Sequence, residues 1–323
     1  MDYRRLGKTS LQVSRIGLGT VTFGREIDEA ESFAVMDHAL ASGIQFFDTA
    51  EGYGGGQARL GREKAQGFSD TREVSGEFHS SELIVGRWLK SRQCRDRIIL
   101  QTKLLPPLTK SRITTLADES LSRLQTDYVD LYLAHAFDSV TPLEETLEGF
   151  AAVKRAGKVR EAGCSNFDAS QMKRSLDLQQ IAPLVTVQSN YNLAVRAIEQ
   201  DLLPLCVANQ IGVQTYSPLG AGFLTGKYQR HLATFPAGSR FDVSPAHAEI
   251  YFHPEKFAAV ERLHETAKAS SIPVPQLAVG WVLANPAVDC VLIGARNRAH
   301  IDSAVNATSQ RISDDVLRRL NAV

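Results

Sequence analysis

The chain has 323 residues, 43% hydrophobic and 22% charged, with 36 basic and 36 acidic side chains and no formal net charge. That is the composition of a globular protein with a sizeable core, and it excludes a nucleic-acid surface or polybasic membrane anchor built on excess charge. The four cysteines, Cys94, Cys164, Cys206 and Cys290, form no CxxC pair, so neither a zinc site nor a dithiol motif is expected, only free thiols in a reducing compartment.

At the N-terminus, Met1-Asp2-Tyr3-Arg4-Arg5 has no apolar signal segment, and no run approaches the ~18 residues that span a bilayer, so the expected location is cytoplasmic. Residues 3–13 alternate around Gly7-Lys8-Thr9-Ser10 and predict a hairpin. A strand is expected at 14–20, ending in glycines, and a helix at 28–42, stopped by Gly43. The apolar run 44–48 reads as a buried strand that ends on a carboxylate, Asp48.

The same two-beat unit recurs. Helices at 80–89, 111–124, 142–155, 169–178 and 198–209 alternate with strands at 97–103, 128–135, 159–165, 184–189 and 211–217. Helices at 254–269 and 275–284, a last strand at 289–294 and a C-terminal helix complete the pattern. Eight strands in strict alternation with helices require parallel pairing by right-handed crossovers, which at this length means a single (β/α)8 barrel over residues 1–323. An open dinucleotide-binding sheet would need a glycine-rich turn after its first strand, and Gly17-Leu18-Gly19-Thr20-Val21-Thr22 lacks the third glycine. Two segments break the rhythm, a Gly-rich polar insertion at 54–79 and a long loop at 227–253, after the second and seventh barrel strands. Both therefore belong to the barrel face that carries active sites.

The strand ends carry Asp48, Lys103, His135, Asn166, Gln188, Tyr216 and Gly294, and Tyr53 lies on the loop after Asp48. Taken singly, each has a structural explanation: a helix cap, a solvated charge, a core histidine, a packing aromatic. Together on one barrel mouth they point to proton transfer. A phenol with an ordinary pKa of about 10 becomes a usable acid beside an ammonium, which lowers its pKa. Lys103 could supply the ammonium, and Asp48 could hold it charged. His135 could donate a hydrogen bond to a carbonyl oxygen. With no serine or cysteine nucleophile motif present, hydride from a nicotinamide would complete the chemistry. The segment Gly220–Lys227 fails as a phosphate loop, because Ala221 stands where glycine is needed and Tyr228 where Ser or Thr is needed.

These pieces make the chain resemble an aldo-keto reductase, from Tyr3-Arg4-Arg5-Leu6-Gly7 to about Ala307. The resemblance rests on Gly17-Leu18-Gly19-Thr20, Asp48-Thr49-Ala50-Glu51-Gly52-Tyr53-Gly54, Thr102-Lys103, Asp127-Tyr128-Val129-Asp130-Leu131-Tyr132 and His135. It continues in Gly163-Cys164-Ser165-Asn166-Phe167, Gln188-Ser189-Asn190-Tyr191, Tyr216-Ser217-Pro218-Leu219, Gly226-Lys227-Tyr228 and Ile293-Gly294-Ala295-Arg296. The resemblance implies a catalytic tetrad of Asp48, Tyr53, Lys103 and His135, with Tyr53 as general acid–base. It implies that Asn166 and Gln188 hold the nicotinamide carboxamide, Tyr216 stacks on its ring, and Gly19, Thr20 and Ser165 line the cofactor. Ser217, Pro218, Leu219, Gly222 and Lys227 match the loop that grips the pyrophosphate, and Arg240 a cofactor-clamping arginine of some branches. Gly294, Arg296 and His300 fall where the family holds the adenosine end.

Arginine answers a 2′-phosphate in bidentate fashion, and Arg296 and Arg298 follow the last strand, so NADPH is expected over NADH. Ser303 and Ala304 depart from the Glu-Asn pair with which relatives contact adenine. A small-molecule carbonyl compound is the expected partner, with no nucleic acid, membrane or metal, and the sequence leaves oligomeric state open. Val21-Thr22-Phe23, Phe137 and the two long loops would build the substrate pocket, with Arg59, Arg62, Arg72 and His79 either reading the substrate or solvated. The resemblance also admits a regulatory cofactor-binding subunit, as in potassium-channel β-subunits. A Schiff-base aldolase would need Lys103 without its carboxylate partner.

Overall fold

The computed structural model describes residues 1–67, 70–230 and 234–322. The hairpin is present as β1 (Tyr3–Arg5) and β2 (Gln12–Ser14), paired antiparallel. The barrel strands are β3 (Ile16–Gly19), β4 (Phe46–Asp48), β5 (Ile99–Leu104), β6 (Val129–Ala134), β7 (Val159–Ser165), β8 (Leu184–Asn190), β9 (Gly212–Tyr216) and β10 (Cys290–Gly294). They close in the order β10-β3-β4-β5-β6-β7-β8-β9, every pair parallel. The first barrel strand is shorter than the sequence suggests, because Ser14 belongs to the hairpin and its Oγ donates to the Ile16 carbonyl (2.6 Å) at the break.

The helices are α1 (Glu29–Ala41), α2 (Gly55–Gln66), α3 (Ser80–Arg92), α4 (Lys110–Leu124), α5 (Leu143–Arg155), α6 (Ala169–Asp177) and α7 (Leu202–Asn209). After two one-turn pieces, α8 (Arg240–Val243) and α9 (Ala248–Tyr251), come α10 (Pro254–Ser270), α11 (Val274–Ala284), α12 (Arg298–Ser309) and α13 (Asp314–Asn321). Local sequence sets many of the starts. Asp28 and Asp168 form capping boxes with Glu31 and Gln171, and Thr109 caps α4 through the Arg112 amide.

Two apolar layers follow from strand alternation. One face of each strand packs outward under the helices, as where Phe47 stacks on the fully buried Trp88 at 5.4 Å. The other face fills the barrel interior with Phe46, Leu131, Leu133, Cys290 and Leu292, and the hairpin's Leu6 and Val13 join that cluster from below. Above it, on the same interior faces, lie Asp48, Gln101, Lys103, Gln188 and Gln214, so polarity rises toward the strand C-termini.

The 54–79 insertion is not the irregular loop that its glycines suggest. It opens with α2, and the glycines serve close approach: a Cβ on Gly55 would stand 1.6 Å from the Ser75 carbonyl oxygen. Beyond them, the run Gln57-Ala58-Arg59-Leu60 has ordinary helix-forming residues. The 227–253 loop likewise contains α8 and α9, wrapped around Phe235, Phe241, Phe252 and Tyr228. Residues 68–69 and 231–233 of these two expectations lie outside the described residues.

Candidate active site

Asp48 ends β4, Lys103 lies one residue from the end of β5, and His135 follows β6. The barrel brings all three together with Tyr53. Lys103 is fully buried, and its ammonium donates to Asp48 Oδ2 (2.8 Å), the Thr49 carbonyl (2.9 Å) and the Tyr53 hydroxyl oxygen (3.1 Å). It also lies 2.7 Å from Asp48 Oδ1. An ammonium has three N–H bonds, and these partners use them all. The Tyr53 oxygen is thus an acceptor from Lys103, and its own proton is left to donate elsewhere.

The electrostatics refine the expectation from sequence. The Lys103 charge does pull the Tyr53 pKa down, but burial is the larger influence and the net shift is upward. Tyr53 therefore carries its proton at neutral pH. Burial alone would discharge Lys103; Asp48, with help from Tyr53, reverses that and raises its pKa. Burial, then the Lys103 charge, pull His135 down to about 3, so its imidazole is neutral. The ring stands edge-on to Tyr53 at 5.5 Å, and its buried Nδ1 has no hydrogen-bond partner among the described residues.

The expected cofactor residues line the same mouth. Asn166 has a left-handed backbone (φ 61°); its Nδ2 donates to the His135 carbonyl (2.9 Å), and its Oδ1 accepts from the Tyr216 hydroxyl (2.8 Å). Ser165 donates to the Gln188 carbonyl, and Thr20 to the Asp48 carbonyl, each at 3.0 Å. Gln188 Nε2 donates to Asp48 Oδ1 and to Gln214 Oε1, both at 3.1 Å, which spends its two N–H bonds and leaves Oε1 as an acceptor. Gly19 ends β3 with the Ile293 carbonyl beside it, and Gly294 ends β10 with open space where a Cβ would be.

After Tyr216 the backbone is left-handed at Ser217 (57°), Gly220 (58°), Ala221 (56°) and Gly222 (89°), in the segment that includes Pro218 and Leu219. Two of its N–H groups are used inside the turn, Gly220 donating to the Ser217 carbonyl (2.8 Å) and Gly222 to the Leu219 carbonyl (3.0 Å). Lys227 lies against Gly222. Burial, then the neighbouring charges, lower the pKa values of both Lys227 and His300: Arg296 acts on each, and Lys227 also acts on His300. Two cations, Lys227 and Arg296, therefore lie beside an imidazole that is held uncharged, with Glu26 as the nearby counter-charge, a site that suits an anionic group. Arg296 also donates from Nη1 to the Gly238 carbonyl (3.0 Å), and Arg240 pairs with Glu26 at 3.1 Å. Ala304 is buried, so its side chain belongs to the core.

Several expected pocket residues do other work. Arg62 is buried; it pairs with Asp70 (2.7 Å) and Glu73, and Nη1 donates to the Val243 carbonyl (3.0 Å). Arg59 pairs with Glu73, and Arg72 with Asp70 and Asp242 (2.8 and 2.9 Å). All three arginines are engaged in ion pairs; Arg62 and Arg72 tie the first insertion to α8, Arg62 from a buried position and Arg72 from an exposed one. His79 lies 2.6 Å from the Glu51 carbonyl through Nδ1, and Phe23 is fully buried in the core. The sequence reading missed Gln101 and Gln214. Each lies two residues before a site residue, Lys103 and Tyr216, and that period-2 spacing was the available signal.

Comparison with known proteins identifies the family. The model of the Aldo/keto reductase family matches residues 15–323. The chain is 34% identical to "Aldo-keto reductase YhdN" of Bacillus subtilis, over 100% of this chain and 93% of the relative. It is 31% identical to a "Probable voltage-gated potassium channel subunit beta" of Arabidopsis thaliana, over 95% and 91%. It is 30% identical to the "NADH-specific methylglyoxal reductase" of Escherichia coli, over 96% and 94%. A (β/α)8 barrel whose mouth gathers these residues, matched along nearly its whole length by one family, belongs to the aldo/keto reductases.

Proposed function

We propose that the protein is an NADPH-dependent carbonyl reductase, which converts a small aldehyde or ketone to the alcohol. The observation that carries this reading is the polarity of the Lys103–Tyr53 hydrogen bond, which leaves the phenol proton free to point into the barrel mouth. When bound at this mouth, a nicotinamide would supply the hydride for the carbonyl carbon. Tyr53 gives its proton to the carbonyl oxygen, and the positive charge of Lys103 stabilises the phenolate that remains. Asp48 keeps that ammonium charged and fixed. His135, neutral at working pH, donates a hydrogen bond that orients the carbonyl oxygen. Asn166 and the Gln188 Oε1 would hold the carboxamide, and Tyr216, which donates to Asn166, would offer its face to the ring. The 217–222 segment and Lys227 would hold the pyrophosphate, with Arg240, now paired with Glu26, as a further cation for it. Arg296, with His300 beside it, would take a 2′-phosphate, the basis for preferring NADPH, although one relative is named NADH-specific.

The test is Tyr53→Phe assayed with NADPH and a panel of aldehydes. Loss of at least about a thousandfold in kcat, with NADPH binding retained, is the expected result. Retained turnover would remove Tyr53 from the proton-donor role. A side-by-side titration with NADPH and NADH checks the cofactor preference. A second reading, a cofactor-binding subunit with little turnover, draws on the similarity to the channel β-subunit. It predicts tight NADPH binding and no consumption of NADPH with any aldehyde in the panel.

A further inference from the structure

Beneath Asp48 the barrel interior is closed by amides rather than by aliphatic side chains. Gln101 faces Asp48 in register on β5, and Gln188 faces Gln214 in register across β8 and β9. All four side chains are buried. Gln101 Nε2 donates to Asp48 Oδ1 (2.5 Å) and to Gln214 Oε1 (3.1 Å). Gln214 Nε2 donates to Gln101 Oε1 (2.8 Å) and to Thr186 Oγ1 (3.2 Å), and the Thr186 hydroxyl donates to the Gly212 carbonyl (2.8 Å).

The direction of these bonds is determined at one end. The Gly212 carbonyl can only accept, so the Thr186 hydroxyl gives it its proton and must accept from Gln214. That choice turns the Gln214 oxygen toward Gln101 and Gln188, and their NH2 groups toward Asp48. Flipping Gln101 would set a carbonyl oxygen against a buried carboxylate and leave N–H groups unpaired. Asp48 Oδ1 thus receives two amide donors besides Lys103, and both amides turn their NH2 groups, not their oxygens, toward the carboxylate.

We propose that Gln101, Gln214 and Thr186 are positioning residues: a one-way hydrogen-bond ladder, anchored on the Gly212 carbonyl, that presents only N–H donors to Asp48 and so holds Lys103 in line with Tyr53. The proposal rests on the reading of Tyr53 as the proton donor. None of the three residues needs to touch substrate. They act by denying the Asp48 carboxylate any other orientation, since a carboxylate free to rotate would carry the Lys103 ammonium away from the phenol oxygen.

The experiment compares Gln101→Met, Thr186→Val and Thr186→Ser with the parent enzyme and with Tyr53→Phe. Each is assayed for kcat and KM with 4-nitrobenzaldehyde and NADPH, and for NADPH Kd by quenching of tryptophan fluorescence. Charge-assisted hydrogen bonds of this kind predict about a tenfold fall in kcat for Gln101→Met and Thr186→Val, with NADPH Kd within about twofold of the parent. Thr186→Ser, which keeps the hydroxyl, restores kcat. Parental kcat in Gln101→Met and Thr186→Val would overturn the ladder, as would Thr186→Ser falling as far as Thr186→Val, since packing rather than the hydroxyl would then be responsible. Should Gln101→Met fail to fold, the near-isosteric Thr186 pair carries the same decision. Tyr53→Phe separates the two levels. If it keeps activity, the proton-donor reading fails; if it is inactive while the ladder variants equal the parent, the ladder alone fails.

Discussion

Lys103 is the residue on which the site's charge balance turns. It is fully buried, and its three donor bonds end on Asp48, Thr49 and Tyr53. Replacing it by methionine leaves Asp48 as a buried, unpaired carboxylate, and removing one partner of such a pair costs ~3–5 kcal/mol. Lys103→Met is therefore expected to lower the urea unfolding free energy by about that amount while also abolishing NADPH oxidation. His135 gives a pH signature. Burial holds it near a pKa of about 3 against an ordinary 6.5, so between those values the unfolded chain binds a proton that the folded chain refuses. Stability is then full above pH 6.5 and falls as pH drops toward 3. His247, pulled by burial to about 4, works in the same direction. His135→Gln should flatten the slope of unfolding free energy between pH 7 and pH 5, read by urea titration at both; an unchanged slope would mean that the imidazole is not held neutral.

At the scale of elements, the most consequential feature is the bridge between the first insertion and α8. The buried Arg62 links Asp70 and Glu73 to the Val243 carbonyl, and Arg72 reaches Asp242. A cluster with this little exposure is worth far more than surface pairs, because a broken member leaves charge in a dry site. Arg62→Met should speed amide hydrogen exchange across α2 and α8, while amides of β5 and β6 keep their protection. The bridge also holds the roof beside Arg240, which pairs with Glu26, so NADPH affinity should fall with it. If exchange in α2 is unchanged, the helix is held by its glycine contacts alone, chief among them Gly55 against Ser75.

For the whole molecule, chemistry and stability occupy opposite ends of the barrel. The mouth holds the buried Asp48–Lys103 pair, and the other end is sealed by the hairpin, with Leu6 and Val13 packed under Phe46, Leu131, Leu133 and Leu292. Arg15 stitches that seal to the last turn of α11 and to the start of the final strand, its Nη2 donating to the Leu283 carbonyl at 2.6 Å and its Nη1 to the Asp289 carbonyl at 3.2 Å. Leu6→Ala removes a fully buried side chain there and should cost ~2–5 kcal/mol of global stability. Its kcat at 25 °C should match the parent, because Leu6 belongs to the apolar cluster at the far end of the barrel from Tyr53. A thermal scan paired with a steady-state assay checks both halves.

Much of this was legible along the chain because it depends on periodicity. Alternating apolar strands and capped helices announce eight βα units, and right-handed crossovers leave a closed parallel barrel as the compact solution. The residues at strand ends follow, because one end of every parallel strand faces the same mouth. What sequence could not give was set by contacts between distant segments. The glycines of 54–56 looked like a loop until Ser75 stood against them, and the insertion's arginines looked solvated until Glu73 and α8 met them. The net shift of Tyr53 depends on how far burial outweighs one ammonium, which no linear pattern records. The direction of the amides under Asp48 depends on a threonine and a carbonyl brought alongside by β8 and β9. Local pattern determined which residues reach the barrel mouth; only closure of the barrel decided which proton each of them is free to give.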